Sequence, residues 1–108
     1  MKILITGKEV ALSQEVRSQI EDRIRIALSR FSPKVQQVSA VINDVNGPRG
    51  GIDKRCRITV QLRRLNDVTV TSEDSRVEAS VKRAVDRIGR AVARAIERSR
   101  QFDSRQLV

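Results

Sequence analysis

Apolar residues recur along this chain at two spacings, and each change of spacing marks a new element. Met1–Thr6 (MKILIT) is a β-branched run closed by Gly7 and predicts a first strand. From Ser13 the apolar positions are Val16, Ile20, Ile24, Ala27, Leu28 and Phe31, three and four apart. That spacing predicts an amphipathic helix, with Ser13 as its N-cap and Glu15 in the first turn, where the helix dipole favours an acid. Pro33 is expected to stop it. Val35–Val45 returns to β-formers, with Val38, Ala40 and Ile42 alternating against polar neighbours. Asn46–Asp53 (NGPRGGID) holds three of the five glycines and reads as a long turn.

A third strand follows with the clearest alternation. Cys56, Ile58, Val60 and Leu62 fall on one face, and Arg55, Arg57, Thr59, Gln61 and Arg63 on the other, so one face packs and the other is wet. Leu65–Asp67 turns the chain into a short fourth strand, Val68–Thr71, with Val68 and Val70 inward. Ser75 and Glu78 make an S-x-x-E capping box for a long helix expected to reach about Arg100. The order β-α-β-β-β-α predicts an α+β sandwich of two layers, both helices lying on one face of a four-stranded, mainly antiparallel sheet. Residues 1–100 form one domain, and 101–108 read as a loose C-terminal tail.

The last helix sorts its residues by chemistry. At about 100° per residue, Val77, Val81, Ala84, Val85, Ile88, Val92, Ala95 and Ile96 gather on one side. Arg76, Arg83, Arg87, Arg90, Arg94 and Arg98 gather opposite them, within an arc of roughly 80°. No acid falls inside that arc. A face built for solubility intersperses both signs and gains i,i+4 pairs, whereas this one sets like charges four apart. It reads as a binding surface.

Charge across the whole chain agrees. Of 108 residues, 22 are Lys or Arg and 13 are Asp or Glu, for a net charge of +9. Seventeen of the cations are arginine, whose planar fork grips phosphate oxygens in bidentate fashion. The excess lies mostly after residue 48, where the net charge is +7. A small domain with so much like charge points to a polyanionic partner. There is no Trp or Tyr and only two Phe, so reading bases by aromatic stacking is a nearly closed route. Folded RNA recognised through phosphates and shape is what remains, with Arg55, Arg57 and Arg63 as a second group of candidate contacts.

Other chemistry is thin. Histidine is absent and Cys56 is the single cysteine, placed on an inward face as a small hydrophobe. NGPRGG lacks the Lys-Ser/Thr of a phosphate loop, and Asp44 with Asp53 makes a poor metal site. No catalytic set, metal, cofactor or small-molecule substrate is expected. Charges every few positions near the start argue against a signal peptide, and no apolar run approaches the roughly 20 residues of a membrane helix. The expected location is the cytoplasm, away from membranes.

Three stretches carry a resemblance to a known family. MKILITGKEVALSQEVRSQI, SRFSPKVQQVSAVINDVNGPRGGIDKRCRITVQL and AVDRIGRAVAR resemble the opening, middle and second helix of the hibernation-promoting factor and ribosome-associated translation inhibitor family, also called sigma-54 modulation proteins. The middle stretch is similar to a short-form branch. The resemblance implies a fold like that of double-stranded-RNA-binding domains. It implies binding to the small ribosomal subunit and its rRNA over the decoding channel, translation inhibition, and ribosome hibernation under stress or in stationary phase. Its basic second-helix face falls here on Lys82, Arg83, Arg87, Arg90 and Arg94. The C-terminal dimerisation domain of long forms is missing, so ribosome pairing by that route is not expected. Two other readings of the residues are a non-ribosomal binder of structured RNA and a module docking an acidic protein partner.

Overall fold

The computed structural model describes residues 1–45 and 53–106, with 102–106 as backbone. The elements are β1 (Lys2–Lys8), α1 (Gln14–Leu28), β2 (Val35–Asp44), β3 (Lys54–Leu62), β4 (Val68–Asp74) and α2 (Val77–Gln106), and the sheet order is β1-β2-β3-β4. β1 runs parallel to β2, Ile3 beside Val38 and Ile5 beside Ala40. A parallel neighbour requires a crossover, which α1 supplies. β2 with β3 and β3 with β4 are antiparallel, placing Ile42 beside Cys56 and Ile58 beside Val70. The expected β-α-β-β-β-α two-layer sandwich is the observed fold. The glycine-rich turn, with Arg49 in it, lies outside the described residues except for Asp53.

Both helices bury their predicted stripes on one face of the sheet. Ile24, Leu28, Val38, Ala40, Ile42, Cys56, Ile58, Val60, Ala84, Ile88 and Val92 have no exposed surface and share one cluster. A buried aliphatic of the Val, Leu or Ile class contributes about 1.5–3 kcal/mol, so this cluster holds the layers together. Burial also pushes the Cys56 thiol up to about 12, which leaves it a packing residue.

Local differences from the sequence reading have physical causes. Ser13 caps α1 as expected, its Oγ accepting the Val16 N–H at 3.1 Å. The α-helix then ends at Leu28 rather than at Pro33. Residues Ser29–Lys34 tighten into a 3-10 turn that contains the proline, which has no N–H to donate to the Ser29 carbonyl of a continuing α-helix. Ser75 and Glu78 form no capping box. The Ser75 hydroxyl donates to Asp74 Oδ1, and that carboxylate also accepts the Arg76 N–H at 3.2 Å. A charged acceptor one residue earlier outcompetes the hydroxyl. α2 runs past Arg100 to Gln106, where no glycine or proline interrupts it.

Gly7 does not end β1 but sits within it, opposite Ile42. A Cβ built there would lie 2.6 Å from the Val10 carbonyl oxygen and 3.1 Å from the Leu12 side chain. Glycine lets the 9–12 segment fold back against the strand. Gly7→Ala should therefore lower stability by about 1–3 kcal/mol, the usual cost of overpacking. Urea denaturation checks this, since an unchanged midpoint would mean that the segment moves aside freely.

Candidate nucleic-acid interface

α2 lies over β3 and β4 and runs back along β4, so its early residues face the end of that strand and its later residues the beginning. Arg83 Nη1 donates to the Glu73 carbonyl at 3.2 Å, and Arg87 Nη1 donates to the Thr71 carbonyl at 2.6 Å. The spacings explain the match. Residues four apart on a helix are separated by about 6 Å along its axis, and residues two apart on a strand by about 6.6 Å. Two arginines one turn apart thus satisfy alternate carbonyls of an edge strand. Arg17 does the same at the other edge, donating from α1 to the Ile5 carbonyl of β1 at 2.6 Å. Unpaired edge carbonyls invite another strand, and these arginines cover them.

The six-arginine stripe therefore divides. Arg83 and Arg87 are tied to β4, and Arg83 also approaches Asp74 at 3.5 Å. Asp74 is held below the usual carboxylate range, first by the Arg76 N–H, then by Ser75 and by the nearby Arg83 charge. Among the described residues, no hydrogen bond or ion pair engages the side chains of Arg90, Arg94 or Arg98. With Arg87 they line a cleft of about 640 Å³ against Val68, Thr69 and Val70 of β4. The stripe is not simply opposite the core, because it walls one flank of α2 and β4 forms the other side. Asp67 also lines the trough, and the three unengaged guanidinium groups outnumber it and can hold several anionic groups in a row.

The remaining candidates fall into three places. Arg76, Lys82 and Arg83 line a second cleft of about 480 Å³ at the start of α2, joined by Arg23 from α1. Arg23 carried no signal beyond its charge, and only the packing of α1 beside α2 brings it there. Arg55 and Arg57 stand exposed on the open face of the sheet, as their alternation predicts. Arg55 is ion-paired with Glu73, its neighbour across the β3–β4 pair, at 2.8 Å. Arg63 does not join them. β3 ends at Leu62, a bulge between Val35 and Gln37 shifts the register, and Arg64 turns the chain with φ 64°. Arg63 instead lines a cleft with Lys34, Arg64 and Ser99, near the far end of α2.

Asp44 and Asp53 flank Lys54, whose ammonium lies 3.5 Å and 2.8 Å from them. The hydrogen bond to Asp53, with both carboxylate charges, raises the lysine further. A cation already fills the space between these acids. Among the described residues no group of three potential metal ligands occurs, and no helix is long and apolar enough to cross a membrane.

A sheet covered on one face by two helices, with an arginine-walled trough at one edge, defines a two-layer α+β domain with the chemistry to hold polyanions. The chain belongs to the sigma 54 modulation protein / S30EA ribosomal protein family, whose model matches residues 3–100. Its fold is similar to that of the N-terminal domain of Protein Y from Thermus thermophilus. The two are 25% identical with a TM-score of 0.71, and the match covers 87% of this chain and 98% of that one. A ribosomal subunit interface protein from Coxiella burnetii has the same fold at 15% identity and a TM-score of 0.71, with 87% of this chain and 96% of that one covered. No curated protein matches the chain.

Proposed function

We propose that this protein binds rRNA of the small ribosomal subunit at the decoding channel and inhibits translation in the cytoplasm when growth stops. The trough between α2 and β4 carries the reading. Arg90, Arg94 and Arg98 are charged, exposed and unengaged among the described residues. Like charges held this close are costly unless a polyanion neutralises them. Membership of a family described as ribosomal supports the ribosome as the source of that polyanion. Nothing in this mode of action requires catalysis. The protein acts by occupying space that tRNA and mRNA need.

Titration onto purified small and large subunits over a range of salt concentrations tests this. Neutralising about five phosphates gives a slope of roughly −3 to −5 for log affinity against log salt. Small subunits should bind with that steepness and large subunits should bind weakly. Salt-insensitive binding, or equal binding to both subunits, overturns the proposal, and binding that survives ribonuclease would identify an acidic protein partner instead.

A further inference from the structure

We infer that the groove between α1 and the start of α2 is a pocket for one unstacked guanine base of the bound RNA. The inference rests on the RNA-binding reading above and adds sequence preference to it. The groove encloses about 290 Å³, at the small end of ligand pockets. Val16, Val77 and Val81 give it an apolar surface, and Gln19, Arg23 and Glu78 add an amide, a guanidinium and a carboxylate. An apolar surface with a few polar groups is how proteins hold a base taken out of its stack, reading the Watson–Crick edge by hydrogen bonds. Arginine planes can stack on such bases where aromatics are absent.

Glu78 selects the base. Among the described residues the side chains of Glu78, Gln19 and Arg23 have no hydrogen-bond or ion-pair partner. A carboxylate only accepts. Guanine is the one standard base with two adjacent donors, N1–H and the N2 amino group, on its Watson–Crick edge. Adenine and cytosine set a ring acceptor beside their amino group, and uracil flanks N3–H with two carbonyls, so each presents a lone pair to Glu78. Gln19 or Arg23 can donate to guanine O6. The adjoining cleft shares Arg23 and Glu78 and adds Arg76, Lys82, Arg83 and Asp86, a net positive lining in which Arg23, Arg76 and Lys82 suit the phosphates on either side of the extruded nucleotide. A place in the first turn of α2 makes an acid tolerable there. It does not account for an acid on the rim of an apolar pocket whose other polar groups are Gln19 and Arg23.

The test uses the full chain and four hairpin RNAs, identical except for one unpaired G, A, C or U. The G hairpin should bind about five- to a hundredfold more tightly than the others, the range expected of a bidentate contact. Glu78→Gln should weaken the G hairpin toward the rest and leave the other three unchanged or tighter, because a negative charge beside the phosphates is gone. Equal binding of all four RNAs by the unchanged protein, or a shift of all four in one direction by Glu78→Gln, overturns the guanine pocket while leaving RNA binding in place. Failure of every hairpin to bind at any salt overturns the RNA-binding reading, and the pocket with it.

Discussion

Changing Arg90 and Arg94 together to glutamate should lower affinity for the small subunit at least a hundredfold. Both side chains stand in the trough beside β4 without an intramolecular partner among the described residues. A hydrogen bond to a charged group contributes about 1.5–3 kcal/mol, and each substitution also sets a carboxylate against a phosphate. Folding should be nearly untouched, since exposed substitutions of this kind cost under about 0.5 kcal/mol each. Arg100→Glu with Arg105→Glu changes net charge by the same amount on the last turns of α2. That pair should keep most of the affinity. Equal losses in both double variants would show that bulk charge alone governs binding. Arg83 and Arg87 are poor positions for this comparison, because their loss uncovers the Glu73 and Thr71 carbonyls and disturbs the β4 edge.

That distinction marks where the sequence stopped being informative. Periodicity was enough to place every strand and both helices, because core and solvent sort apolar and polar residues at spacings of 2 and 3.6. It grouped six arginines by angle around α2, but an angle does not say which neighbour lies at that angle. Only the sheet order places β4 beside the stripe, ties Arg83 and Arg87 to its carbonyls and leaves Arg90, Arg94 and Arg98 unengaged among the described residues. Arg63 departs from the open sheet face for a related reason. Strict alternation extends a strand face indefinitely, whereas the bulge near Gln36 and the left-handed Arg64 end it at Leu62. Arg23 was silent because it joins Arg76 and Lys82 only through the contact between two helices. The capping box failed on local chemistry, since the Asp74 carboxylate was the better acceptor within the same few residues.

The proposed occupancy of the decoding channel would make this protein and the translation substrates mutually exclusive, and competition on purified small subunits measures that directly. Subunits filled beforehand with mRNA and a P-site tRNA should bind the protein at least tenfold more weakly than empty ones, a difference of about 1.4 kcal/mol or more. In the reverse order, protein added first should block tRNA binding at equimolar amounts, and the Arg90→Glu, Arg94→Glu variant should not. Simultaneous binding of protein, mRNA and tRNA with undiminished affinity would contradict channel occupancy and place the basic trough on another surface of the ribosome.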